Sequence, residues 1–162
     1  MQDKLPIPDC REVLAFRKIV EIIQSDPTLR RLNVTFIVWD GSSNDLTNPV
    51  AGILPLIELQ PSPDGTGWSE ADQHRSDVGV DITLAVKGTN ADNLLNLWSA
   101  VRSALFPDPA SSRRATIEAA VASVGIYQGE LTRQPFQVVP LDSSTRMLVG
   151  EGHLRLRLNV NT

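Results

Sequence analysis

Apolar and polar residues alternate along two long stretches of the chain. Residues 78–87 place Val, Ile or Leu on every second position, which is the period of a strand with one face in the core. The same alternation returns in residues 147–160. We therefore predict two long strands, each with a polar side opposite a buried one.

Helical spacing appears twice with a capping residue in front of it. In residues 9–25 the apolar positions recur every three to four residues after Asp9, a residue type that caps helices. Asn90 can cap a second helix, whose broad apolar stripe ends at Pro107. Both segments predict amphipathic helices that pack on a sheet.

Shorter segments complete the pattern. An alanine-rich stretch, Arg114–Ser123, predicts a third helix with Ser111 or Ser112 as its cap. Three further runs of apolar and β-branched residues, bounded by turn residues, read as strands. They cover residues 33–39, 52–60 and 126–132.

This order of elements predicts an α+β fold. We expect a mostly antiparallel sheet of four to five strands, with an N-terminal helix and one or two further helices packed on one face. The length of 162 residues suits a single domain over 1–162. Prolines, glycines and charged residues in 61–77 predict a long exposed loop.

Charge changes the picture of possible partners. A net charge of −4 disfavours tight nucleic-acid binding, which needs clustered basic residues. Only three of the fifteen basic residues are lysines. Arginine is enriched and lysine depleted at protein interfaces, so the bias hints at subunit contacts, and codon bias explains it equally well.

Metal chemistry has one candidate cluster, in the predicted loop. Glu70, Asp72, His74 and Asp77 offer four ligand side chains at spacings of two or three residues. Carboxylates in a loop rich in Gly and Pro are more often simply solvated. We therefore expect no metal site, with Glu70, Asp72 and His74 as weak candidates.

Catalytic and cofactor motifs do not emerge from the sequence. It contains no G-x-S-x-G motif, no P-loop and no dinucleotide-binding glycine pattern. Cys10 is the single cysteine, at the start of the first helix, where a helix N-terminus can lower a thiol pKa. A half-buried, unreactive position is the simpler reading, so we predict neither an enzyme nor a cofactor.

Aromatic and arginine side chains supply the candidate interface residues. Trp68 lies in the polar loop, where a large aromatic residue often anchors a partner, whereas Trp39 and Trp98 fall in core-forming segments. Arg155 and Arg157 lie on the polar side of the last strand and can meet carboxylates of an adjacent subunit. A solvated sheet face accounts for them equally well.

One stretch of the chain resembles a known family. An alternating V-x-V-x-I-x-L-x-V strand passes through Gly88 and Thr89 into the helix N-L-L-N-L-W-S-A-V-R-S-A-L-F-P, ending at Pro107. This segment, together with the opening helix and the last strand, resembles the tail terminator (tail completion) proteins of long-tailed bacteriophages. The resemblance extends over most of the chain through motifs of low specificity.

The resemblance implies a structural role in the virion. Such a protein forms a ring, expected to be a hexamer, at the head-proximal end of the tail tube, ends tube polymerisation and joins the tail to the neck. The expected partners are other copies of the chain, the tail tube protein and the neck or connector proteins, with no membrane involved. DNA would cross the lumen without specific binding, and assembly would take place in the host cytoplasm.

Two alternatives stay open at this point. A head-tail connector or stopper protein of the neck would have much the same sequence character. From another class, a small metal-dependent enzyme or ligand-binding domain would use residues 70–77. For the terminator role, we expect Trp68, Arg75, Arg155 and Arg157 to contact subunits or partners.

Overall fold

A computed structural model describes residues 5–38, 54–62 and 75–159. These residues form an α+β arrangement, as the sequence predicted, with four helices and six strands where two or three helices and four to five strands were expected. The helices are α1 (Arg11–Gln24), α2 (Pro27–Arg31), α3 (Ala91–Leu105) and α4 (Arg114–Ser123). The strands are β1 (Thr35–Val38), β2 (Leu56–Ser62), β3 (Arg75–Lys87), β4 (Ile126–Arg133), β5 (Gln137–Pro140) and β6 (Arg146–Asn159).

β6 is the strand that organises the sheet. It runs antiparallel to β3 along thirteen paired positions, from Arg75 opposite Asn159 to Lys87 opposite Met147. Its other edge pairs antiparallel with β4 in one half and with β5 in the other. β2 pairs antiparallel with β3, and β1 runs parallel to β2 at the edge. The sheet is therefore mostly antiparallel, with its two longest strands side by side.

The helices cover one face of this sheet because the strands alternate as predicted. Val80, Ile82 and Leu84 of β3 are fully buried, as are Leu154 and Leu158 of β6. They join one core with apolar residues of all four helices. Trp98 of α3 lies in this core at 7% exposure, which confirms the expectation for that residue.

Two glycines let α3 lie close to β6. A Cβ at Gly152 would lie 2.0 Å from the Trp98 ring, and one at Gly150 would lie 3.3 Å from the Leu94 side chain, both of which belong to α3. Both positions belong to the buried series of β6, where any larger residue would push the helix outward. The large indole of Trp98 thus occupies space that the strand leaves empty.

Several boundaries differ from those expected. The loop predicted over 61–77 is shorter at both ends, since Pro61 and Ser62 belong to β2 and β3 begins at Arg75. Backbone pairing extends the strands beyond their apolar pattern, as Ser62 lies opposite Gly79 and Arg75 opposite Asn159. Trp39, the start of the segment 52–60 and residues 63–74 lie outside the described residues.

The helix caps also differ from expectation. Cys10, and not Asp9, is the N-cap of α1, while Asp9 forms an ion pair with Arg17. α4 has Arg113 at its N-cap, and Ser111 acts one step earlier by accepting the backbone N–H of Arg113 at 3.2 Å. In both cases the polar residue expected to cap the helix lies one or two positions before the observed N-cap.

Candidate assembly surface

The sheet face opposite the core carries a band of polar side chains, called here the polar face. Strand alternation places these residues there, because each is one position removed from a buried residue on β3, β4 or β6. The polar face comprises Asp77, Asp81, Gln128, Glu130, His153, Arg155 and Arg157. These residues include three carboxylates, two guanidinium groups and one imidazole, and Glu151 adds a fourth carboxylate on the same side of β6, so acidic groups outnumber the guanidinium groups.

Arg155 and Asp77 form the central ion pair of the polar face. Arg155 Nε donates to Asp77 Oδ2 at 3.1 Å, and a terminal guanidinium nitrogen donates to the same oxygen. Arg155 lies opposite Gly79 in the register, so its side chain meets Asp77 diagonally. The hydrogen bonds and charge of Asp77, with a smaller effect from Glu130, raise the pKa of Arg155. Its guanidinium remains 50% exposed.

Arg157 extends this arrangement toward β4. Its Nε lies 3.9 Å from Asp77 Oδ1, and its Nη1 donates a long hydrogen bond of 3.4 Å to Gln128 Oε1. One carboxylate therefore serves two arginines. Because the Arg157 side chain is 46% exposed, a carboxylate from outside the chain could still reach it.

His153 and Asp81 form a second pair on the same face. His153 Nδ1 lies 2.8 Å from Asp81 Oδ1, with both side chains partly exposed. The imidazole leans over Gly79, where a Cβ would come within 2.6 Å of His153 Cε1. Gly79 therefore gives the His153 ring room to lie on the sheet.

The other end of this face is apolar. Leu56, Ala85 and Met147 form a small buried cluster, separate from the main core, and Val139 of β5 and Ile37 of β1 pack against it. The three residues of the cluster are at most 3% exposed, so this end of the sheet face is covered within the chain itself.

An apolar groove lies on the helix side, between the end of α3, α4 and β4. Its volume is about 390 Å³, and its lining includes Leu105, Phe106, Ile117, Val121, Ile126 and Tyr127. Phe106 is 43% and Tyr127 47% exposed. The sequence did not predict this groove, because its lining residues are distant from one another in the chain. The one local signal was Phe106, an aromatic residue that follows the last residue of a helix and precedes Pro107.

A short exposed segment before α1, called here the arm, comprises residues 5–8. Leu5 is 69% and Ile7 63% exposed, and Pro6 and Pro8 alternate with them. This is the highest exposure among the large apolar residues that the structure describes. No strong periodicity marks such a segment, so the sequence pattern gave no reason to single it out.

The predicted interface residues divide into two groups. The structure brings Arg155 and Arg157 together on the polar face around Asp77, which belongs to the same chain. Arg75 is the first residue of β3, and its side chain is outside the described part. Trp68 lies outside the described residues as well.

Most of the candidate metal ligands lie outside the described residues, and the candidate thiol lies at a helix end. Glu70, Asp72 and His74 fall outside the described residues, while Asp77 is engaged by Arg155. Among residues 5–38, 54–62 and 75–159 no group of three or more potential ligand side chains is placed to hold a metal ion. Cys10 is exposed at the N-cap of α1, in contrast to the half-buried position expected.

Comparison with protein-family models and with curated proteins identifies no relative of this chain. No protein-family model matches the chain, and no curated protein matches it either. Within the described parts of the chain, none of the helices has the length and apolar character to cross a bilayer.

Proposed function

We propose that this chain is a structural, ring-forming protein, namely the tail terminator of a long-tailed bacteriophage. In this role a ring of subunits, expected to be a hexamer, ends polymerisation of the tail tube and joins the tail to the neck. Trp68, Arg75, Arg155 and Arg157 are the residues proposed to contact neighbouring subunits or the tube and neck proteins.

The polar face is the observation that carries the proposal. Its arginines are held in place by Asp77 and remain about half exposed, so they are ordered before a partner arrives. Ordered, partly solvated arginines lose less side-chain entropy on binding than free ones.

The net charge of the chain also suits a ring through which DNA passes. Asp77, Asp81 and Glu130 offset Arg155 and Arg157, and the whole chain carries a net charge of −4. A surface without excess positive charge does not retain a polyanion in transit. A protein that gripped the phosphate backbone would need the opposite balance.

The test is assembly of the purified protein alone and with tail tube protein. Native mass spectrometry and negative-stain electron microscopy should show rings, and rings added to growing tubes should stop elongation at one end. A strictly monomeric protein at tens of micromolar that leaves tube length unchanged would refute the proposal.

Arg155→Glu tests the polar face directly. In this variant the new carboxylate lies beside those of Asp77 and Glu130. We expect assembly to weaken at least tenfold in native mass spectrometry, because like charges across a contact repel. Folding should be retained, since an exposed ion pair contributes little to stability. The control is Arg146→Glu, which makes the same charge change nine residues away on β6, roughly 30 Å along the strand. Equal effects of both variants on assembly would contradict the proposal that the polar face mediates it.

A further inference from the structure

The arm and the apolar groove are two exposed apolar surfaces on different parts of one chain. We propose that the arm of one copy docks in the apolar groove of the next copy, in a head-to-tail contact. This inference rests on the proposed function, because a ring is what makes such a contact close on itself.

The arm is short and conformationally restricted. Pro6 and Pro8 fix their own φ angles and restrict Leu5 and Ile7, and the Ile7 N–H donates to the Leu5 carbonyl oxygen at 2.8 Å, which bends the arm at Pro6. Two of its four backbone positions lack an N–H donor, which leaves fewer polar groups to satisfy in an apolar site. Little conformational entropy is then lost when Leu5 and Ile7 are buried.

The apolar groove has the matching chemistry. Phe106 and Tyr127 offer two partly exposed rings, and Ile117, Val121 and Ile126 add aliphatic lining. The volume of about 390 Å³ is sufficient for two aliphatic side chains of the size of leucine and isoleucine.

A second copy is the occupant that the structure favours. Neither Leu5 nor Ile7 lines the groove of its own chain, and both are more than 60% exposed. The Asp9 carboxylate pairs with Arg17, which holds the base of the arm against α1. Each copy therefore offers one arm and one groove at separate sites, and a contact of this heterologous type produces rings when the rotation closes.

Two complementary variants test the contact. The arm variant carries Leu5→Ser and Ile7→Ser, and the groove variant carries Phe106→Ser and Tyr127→Ser. At concentrations where the wild-type protein assembles, each variant alone should be monomeric in native mass spectrometry. An equimolar mixture should form dimers of one variant with the other and no rings, because only one intact arm and one intact groove can meet.

The single cysteine gives a second measurement. Cys10 is exposed and lies two residues from the arm. A fluorophore on Cys10 of the groove variant, which keeps its arm, should show rising anisotropy when the unlabelled arm variant is added. In the control titration the fluorophore is on Cys10 of a variant that carries all four serine substitutions. Adding the unlabelled arm variant to this protein should leave the anisotropy unchanged.

Controls separate docking from misfolding. Leu32→Ser with Val138→Ser removes two exposed apolar residues elsewhere and should leave assembly unchanged. If the groove variant fails to fold cooperatively, Val121→Arg, which extends a charged side chain over the groove from α4, replaces it.

Three outcomes would overturn the inference. The first is assembly of either variant alone at the wild-type level, and the second is a mixture that stays monomeric. The third is an arm variant whose only defect is lower stability, because that result is expected if the arm folds onto the groove of its own chain. Rings that need the arm but do not act on tail tubes would refute the proposed function and leave this contact standing. Tube-capping rings that form without the arm would do the reverse.

Discussion

Gly152 shows how one missing side chain shapes the packing of a helix. A Cβ there would lie 2.0 Å from Trp98 Cη2 and 2.9 Å from the carbonyl oxygen of Thr132. We predict that Gly152→Ala lowers the free energy of unfolding by about 3 kcal/mol, because neither an indole in the core nor a strand backbone can give way cheaply. Urea unfolding followed by tryptophan fluorescence measures this change.

Gly129 is the matched control for this substitution. It lies on the neighbouring strand β4, where a Cβ would meet the Phe106 ring at 3.4 Å, an ordinary contact distance. Gly129→Ala should therefore change stability by less than about 1 kcal/mol. A similar loss in both variants would mean that glycine flexibility, and not the space under Trp98, is what matters.

Asp26 joins two helices from a buried position. Its side chain, 7% exposed, accepts the backbone N–H of Leu29 at 3.1 Å as the N-cap of α2 and forms an ion pair with Arg113 before α4. We predict that Asp26→Ala costs about 2 to 3 kcal/mol, from the lost cap and the uncompensated guanidinium. Thermal and chemical unfolding both report it.

Arg113 is the second residue of a double-mutant cycle that tests its ion pair with Asp26. If the ion pair carries part of the effect, Asp26→Ala should cost less in an Arg113→Met background than in the wild type. Strict additivity would assign the whole effect to the helix cap.

At the scale of elements, α1 is tied to β3 through Glu12 and Ser76. The Ser76 hydroxyl, itself buried, donates to Glu12 Oε1 at 2.9 Å. Burial alone would raise the pKa of Glu12, but hydrogen bonds from its own backbone N–H, from Ser76 and from Cys10 together lower it. The contact therefore favours the ionised carboxylate.

This direction fixes how stability depends on pH. A carboxyl group with a lowered pKa in the folded state stabilises the fold above its unfolded pKa, about 4.3, and loses that effect as the pH falls through the folded value. Glu12→Gln should therefore lower the melting temperature at pH 7, and the difference from wild type should disappear in acid. Glu21→Gln, which alters an exposed residue paired with Lys18, should show a much smaller difference, and an equal one would contradict the role of Ser76.

The long elements could be predicted because one physical signal dominates each of them. β3, β6 and α3 bury one full side, so their apolar period is strong, and Asn90 caps α3 as its position suggested, accepting the Asp92 N–H at 3.0 Å. α2 and β5 were missed, since four or five residues are too short to establish a period. Their existence depends on tertiary partners, namely Arg113 for α2 and β6 for β5.

The candidate surfaces were predictable only in part. The alternation of β6 placed Arg155 and Arg157 on the polar side from sequence alone. Their partner Asp77 was read as a loop residue, because strand pairing with Arg157 continues beyond the last apolar residue of the pattern. The apolar groove depends on three elements meeting in space, and no local signal reports such a meeting.

For the whole molecule, charge balance leads to a prediction about DNA. The wild-type protein should bind duplex DNA weakly at 0.15 M salt, since the chain is acidic and the two guanidinium groups of the polar face, Arg155 and Arg157, already lie beside Asp77. Asp77→Lys with Glu130→Lys would leave four clustered cations there, and we expect affinity to rise at least tenfold with a steeper salt dependence. Fluorescence anisotropy across a salt series measures both quantities.

The comparison variant makes the same charge change away from the polar face. Asp92→Lys with Glu118→Lys alters α3 and α4, on the helix side of the sheet. It has the same net charge as the first variant but disperses the added cations. Equal gains in DNA affinity would show that net charge alone matters and that the polar face has no special part.

The position of β6 in the chain has a consequence for biosynthesis. This strand is paired on both edges, yet it is synthesised after β3, β4 and β5, the three strands that pair with it. At 5 to 20 residues per second, roughly 4 to 14 s separate the completion of β3 from that of β6. Through this interval the apolar sides of β3, α1 and α3 lack their central partner, so nascent chains shorter than about 159 residues should be the species that chaperones bind and proteases cleave.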